Sequence, residues 1–300
     1  MDIPNDITPE QFFTRNRVAL MLRVFATKED DVARRVELVS KTVERAKLIM
    51  VAGKPVFSRI DVLIYADKRF PDHDCGKTYP AMVEHFKENK LVFIEEGPGD
   101  IFCGLGNYGF VIEARHRCDY SVTFSPDAYA YMTTETVAAM IEAACKGARG
   151  IGVVLNELRE SVIEGRLCGT FAMWHITSML SVGGLDLRAA RPTDDRSAHY
   201  MQGWSADKGD FVFYPLAGVE EMFPCVRMVE TFGPCLAPIM PLGEGVPAYE
   251  VPDPVKQPEL YERHLRKMGT KFERQVAHLA TLGRDTSYLR GGVMPAYRRF

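Results

Sequence analysis

Five short apolar runs, separated by helical patterns, constrain this chain more than any other feature. Residues 17–25 (RVALMLRVF), 60–66 (IDVLIYA), 91–95 (LVFIE), 120–124 (YSVTF) and 151–155 (IGVVL) are rich in Val, Ile, Leu and Phe. Near-continuous apolar runs of this length fit strands buried on both faces. Between the first two, Val32, Val36, Val39, Val43, Ala46 and Met50 recur at steps of four and three, the stripe of an amphipathic helix. Residues 27–30 (TKED) read as a capping-box-like start to that helix, with acids in its first turn. A short helix is predicted after Pro80, and Thr134 reads as the cap of another that carries Val137, Met140, Ile141 and Ala144 on one face. Strands alternating with helices predict βαβ units and a mostly parallel sheet flanked by helices. Such sheets bind ligands beyond the carboxyl ends of their strands. Asp67 and Asp127 both follow such an end.

Charge and cysteine usage exclude several classes of partner. The net charge is −3, from 37 basic and 40 acidic residues, so no single-sign field points to nucleic acid. No apolar run approaches the roughly 18 residues that a membrane span needs, and the opening MDIPNDITPE lacks the features of a signal peptide. The seven cysteines are irregularly spaced, with no CxxC pair, which argues for reduced thiols and a cytoplasmic protein rather than a zinc cage or a disulfide framework.

Beyond residue 155 the pattern loosens. Residues 188–208 form a long polar stretch, 211–214 read as a strand, and 218–221 (GVEE) open a helix. Proline and glycine make 233–254 irregular. Leu260, Leu265, Met268, Phe272, Val276 and Leu279 then trace a long helix with basic residues opposite. The expected division is a domain over 1–255, with one half at about 17–155 and another at about 156–255, followed by a helical extension over 256–300. That extension is expected to pack across the sheet or over the site; docking on a membrane or on a second copy of the chain is the alternative.

Two motifs mislead. GLGNYG at 104–109 matches the dinucleotide fingerprint GxGxxG, but seven residues separate it from Glu96. The fingerprint needs its first glycine directly after a strand, so that a helix N-terminus meets the pyrophosphate. The stretch therefore reads as a glycine-rich loop leading into a helix over 110–118. The acidic pair Asp72 and Asp74 reads as part of a solvated loop.

A third set of motifs falls in an informative order. A strand ending at Asp67, GNYG at 106–109, EAR at 113–115 and a strand leading to SPDA at 125–128 together resemble the GT-A fold glycosyltransferases, especially their family 2-like group. MW at 173–174, GGLD at 183–186 and VEE at 219–221 extend the resemblance to about residue 240. It implies a GT-A (Rossmann-like) α/β fold that takes a nucleotide-sugar donor and a hydroxyl acceptor, with inversion and with Mn²⁺ or Mg²⁺ as cofactor. Arg23, Asp67, Asn107, Arg115, Ser125 and Asp127 would then bind the nucleotide-sugar, with Asp127 also on the metal. Trp174, His175 and Asp186 would meet the donor and acceptor sugars, and Glu220 or Glu221 would be the catalytic base. One departure matters: the family's Asp-x-Asp is Ser125-Pro-Asp127 here, leaving one carboxylate. Two alternatives stay open, a nucleotide-sugar-binding protein without turnover and a nucleotidyltransferase on a similar sheet. The second should carry a Gly-x-Gly-Thr-Arg loop after the first strand, where this chain has RVFATK at 23–28.

Overall fold

The computed structural model describes residues 6–65, 74–97, 103–154, 167, 169–186, 203–205, 210–212, 220–247, 252–259, 261, 262, 265 and 283. Along the chain run α1 (Pro9–Arg15), β1 (Val18–Val24), α2 (Val32–Leu48), β2 (Met50–Val51), β3 (Lys54–Pro55), β4 (Phe57–Tyr65), α3 (Thr78–Phe86), β5 (Val92–Gly97), α4 (Cys103–Arg115) and β6 (Tyr120–Phe124). They are followed by α5 (Thr134–Cys145), β7 (Gly150–Val153), β8 (Phe171–His175), α6 (Ile176–Ser181), β9 (Gly203–Ser205), β10 (Asp210–Val212), α7 (Met222–Phe232) and β11 (Leu236–Ile239). Seven strands form one mixed, mostly parallel sheet in the order β11-β7-β8-β6-β1-β4-β5. Neighbours are parallel except at β8, which runs against both β6 and β7.

Alternation along the strands builds a core on each face of the sheet. In β1, Val18, Leu20, Leu22 and Val24 point to a cluster that includes Phe12 of α1, Val39 of α2, Met82 of α3 and Val137 of α5. Ala19 and Met21 point the other way, to Leu105 and Phe110 of α4, Met179 of α6 and Met228 of α7. Burying each large apolar side chain contributes about 1.5–3 kcal/mol, so both faces of β1 hold the layers together.

Local structure departs from the sequence expectations at the ends of elements. The turn before α2 is 3-10 (Glu29–Asp31), and Lys28 makes no side-chain cap bond; the predicted capping box does not form. Met50 has left the helix, which ends at Leu48 with Arg45 and Lys47 in its last turn, where cations favour the carbonyl end. Pro80 lies inside the first turn of α3, where its missing N–H costs nothing. Thr133, not Thr134, caps α5 by accepting from Thr136 N. Strand β11 lies within the stretch expected to be irregular, paired with β7. Most of the predicted C-terminal helix lies outside the described residues.

The largest correction concerns residues 104–109, which lie in α4 rather than in a loop. Each glycine inside a helix costs about 1 kcal/mol relative to alanine. Packing offsets that cost, because a Cβ on Gly109 would strike Met21 of β1 and Leu63 of β4. Glycine therefore lets α4 lie close against the sheet.

The same helix carries a buried acid. Glu113 is fully buried, and among the described residues neither carboxyl oxygen makes a hydrogen bond of full geometry. It faces the ion pair of Arg59 and Asp61 from β4 and Ser121 of β6. Burial pushes the Glu113 carboxyl well above its ordinary range, and the Asp61 charge adds to the shift. Raising an acid's pKa on folding makes the folded state hold the proton longer, so the stability present below the ordinary value of 4.5 is lost as pH rises toward the folded value. Glu113→Gln is expected to flatten that slope. Urea denaturation at pH 5 and pH 8 should show a smaller fall in stability for the variant than for wild type; equal falls would mean that Glu113 does not carry it.

Candidate functional site

The parallel strands β1, β4, β5 and β6 end along one edge of the sheet, where open α/β sheets form their binding crevice. Arg23 is the penultimate residue of β1, and Ser125 immediately follows β6. Because β8 is antiparallel, its first residue lies at this edge: Phe171 pairs with Phe124 and His175 with Tyr120. The chain entering β8 therefore crosses the crevice floor.

Hydrogen bonds converge on that entering segment. Arg23 Nη2 donates to the Gly169 carbonyl at 3.2 Å, and Thr123 Oγ1 approaches the same oxygen at 3.4 Å. Ser125 N donates to the Thr170 carbonyl at 2.9 Å. From the other side, the Gly169 N–H donates to Glu221 Oε1 at 3.0 Å. Glu220 and Glu221 are each 6% exposed, just ahead of α7. The Glu220 carbonyl accepts from Asp186 N at 3.4 Å. Asn107 of α4 grips the next residue along, accepting from Leu185 N at 2.8 Å and donating to Leu185 O at 2.9 Å. Arg23, Ser125, Asp186, Glu220, Glu221 and Asn107 thus belong to one connected set.

Asp127 lies beside this set, in a 3-10 turn (Pro126–Tyr131) that begins where β6 ends. Its side chain is 57% exposed, and its Oδ1 accepts from Arg35 Nη1 of α2 at 2.8 Å. Among the described residues no group of three His, Cys, Asp or Glu side chains could hold a metal ion. Asp127 fits a divalent cation in a narrower sense, as one hard carboxylate for an ion that takes its other oxygens from phosphate and water. Arg35 competes for that carboxylate.

Three expected residues do not join the crevice, and one lies outside the described residues. His175 ends β8 at the opposite, amino edge of the sheet. There its Nδ1 accepts from Ser178 Oγ at 2.7 Å, and Arg149 Nη1 donates to the same hydroxyl at 2.8 Å. Burial and the Arg149 charge push the imidazole down to about 4, so it is a neutral acceptor capping α6. Trp174 is 1% exposed and donates its indole N–H to Thr123 Oγ1 at 3.1 Å; no ring face is open to a sugar. Arg115 is exposed at the last turn of α4, which leads into the start of β6, and so sits at the amino edge as well. Asp67 lies outside the described residues. Sequence reasoning missed Gly169, Thr123 and Arg35, whose partners here lie 46 to 146 residues away along the chain.

No family model and no curated protein matches the sequence. Solved structures that match include the mannosyltransferase PcManGT from Pyrobaculum calidifontis in complex with GDP-Man and Mn²⁺, at 12% identity and a TM-score of 0.47, over 98% of this chain and 80% of that one. Mannosyl-3-phosphoglycerate synthase from Rubrobacter xylanophilus matches at 12% identity and a TM-score of 0.47, over 94% of this chain and 80% of that one. The 4-diphosphocytidyl-2C-methyl-D-erythritol synthase from Anaerococcus prevotii matches at 8% identity and a TM-score of 0.43, over 85% and 99%. The chain is similar to all three.

Proposed function

We propose that this chain is a GT-A-type glycosyltransferase, moving a sugar from a nucleoside-diphosphate sugar to a hydroxyl acceptor with inversion. The observation that carries the reading is the hydrogen-bonded line from Ser125 through Thr170 and Gly169 to Glu221. It ties the strand end that leads into the exposed Asp127 to the segment that carries the buried Glu220 and Glu221. In the reaction the acceptor oxygen attacks the anomeric carbon while the bond from that carbon to the diphosphate oxygen breaks. The anomeric carbon becomes oxocarbenium-like, as in glycoside hydrolysis. A glutamate at 220 or 221 takes the acceptor's proton. Mg²⁺ or Mn²⁺, when bound, supplies Lewis-acid neutralisation of the leaving diphosphate. Asp127 would hold that ion, and Asp67 would receive the base or ribose. Asp186 would meet the donor sugar through the turn held by Asn107.

The six described cysteines are free thiols, which fits work in a reducing cytoplasm. No described helix is long and apolar enough to cross a membrane.

Asp127→Ala is expected to lower metal-dependent transfer by at least about 10²-fold, the scale of losing several kcal/mol of charge stabilisation. The assay measures release of nucleoside diphosphate from a panel of nucleotide-sugars with Mg²⁺ or Mn²⁺. A melting temperature unmoved by every nucleoside diphosphate would sink the reading. Binding without turnover on any acceptor would favour the second reading, a non-catalytic nucleotide-sugar-binding protein. The contact of Arg35 with the one remaining motif carboxylate is what favours that alternative.

A further inference from the structure

Glu220 and Glu221 both stand just ahead of α7. Glu221 is committed to a backbone contact: its Oε1 accepts the Gly169 N–H at 3.0 Å, in a buried setting. The same residue is held at its carbonyl by Arg23 Nη2 at 3.2 Å. The next carbonyl, on Thr170, accepts from Ser125 N, two residues before Asp127. Residues 169 and 170 are thus the joint between the strand end carrying Asp127 and the segment carrying the glutamates.

Sterics make the same point independently. A Cβ on residue 169 would collide with Oε1, Cδ and Cγ of Glu221. Gly169 has no positive φ that would call for glycine on conformational grounds. The glycine therefore admits the carboxylate rather than permitting a turn.

We infer that Glu221 is a positioning residue, the clamp that fixes the 169–170 joint and with it the spacing between Asp127 and Glu220, and that Glu220 is left as the proton acceptor. The inference rests on the proposed glycosyltransferase reading for its catalytic consequence; the clamp itself does not. A clamp needs a hydrogen-bond acceptor, and a base needs a titratable carboxylate. Glutamine keeps the first and loses the second.

The test compares Glu221→Gln, Glu221→Ala, Gly169→Ala and Glu220→Gln with wild type, using amide hydrogen exchange across 167–171 and kcat and KM for transfer. Glu221→Gln is expected to keep the Gly169 amide protected, since a neutral acceptor replaces a charged one, and to lose much less kcat than Glu220→Gln. Glu221→Ala and Gly169→Ala should both lose the protection and drop kcat about 10²-fold, the scale of a displacement near 1 Å at a reacting centre. Gly169→Ala retains both carboxyl groups but displaces that of Glu221, so its matched loss ties the effect to the Gly169 contact, and Glu221→Gln separates positioning from proton transfer. Loss of kcat in Glu221→Gln as deep as in Glu220→Gln, with Gly169 still protected, would overturn the assignment and make Glu221 the base. Equal exchange at Gly169 in wild type and Glu221→Ala would overturn the clamp. A wild type inactive on every donor, with the exchange pattern as expected, would sink the glycosyltransferase reading while the clamp stands.

Discussion

Glu220→Gln is expected to lower kcat for sugar transfer by about 10²–10⁴-fold, the range that general-base catalysis contributes, with little change in the donor KM. Glu220 is enclosed beside the turn that carries Asp186, and its carbonyl accepts from Asp186 N. Glutamine has nearly the same shape, so packing against that turn survives while the proposed proton acceptor is lost. A variant that keeps the wild-type rate would remove Glu220 from the chemistry and reopen the choice of base.

The second large effect is on stability. Arg59→Leu is expected to cost about 3–5 kcal/mol, because it leaves a buried carboxylate without its cation. Asp61 is 0% exposed in the middle of β4; Arg59 Nε lies 2.8 Å from both of its carboxyl oxygens, and Nη2 lies 2.6 Å from Oδ1. The guanidinium also lies over the Phe93 ring of β5, with Cζ 3.8 Å from the centroid, so the substitution removes a ring contact as well. Burial pushes the Asp61 carboxyl up, and Arg59 opposes the shift. Without Arg59 the folded state would hold a proton on Asp61 to higher pH, so the cost should be smaller at pH 4 than at pH 7. Urea denaturation measures both. The double variant Arg59→Leu, Asp61→Leu should recover much of the loss, since an apolar pair of similar volume often replaces a buried ion pair without penalty. A single variant as stable as wild type at pH 7 would mean that the pair contributes nothing.

Both effects depend on contacts that differ in how far local patterning could foresee them. Local periodicity was enough to locate β1, β4, β5, β6 and β7 and the buried stripe of α2, because apolar spacing of two or 3.6 residues records which side of an element meets the core. The strand-end rule also picked out Asp127, whereas the glutamates came only from the resemblance to the GT-A glycosyltransferases. Local periodicity failed over 104–109, where glycine signals a loop to any local rule. There Met21 and Leu63, distant in sequence, leave no room for a side chain at Gly109, so that glycine serves the packing of a helix rather than a loop.

By itself the sequence determined the alternation of strands and helices, the two-sided burial of the sheet, and the candidate carboxylates at the ends of elements. Only the tertiary structure decided the rest. The reversed direction of β8 sent His175 to the far edge while bringing Gly169 to the crevice. It also decided that Asp127 meets Arg35, 92 residues away, and that Glu221 meets Gly169, 52 residues away. The physical reason is that periodicity records whether a side chain is buried. Which side chain it meets depends on the order and direction in which the strands close into a sheet, and those are set by contacts between segments far apart along the chain.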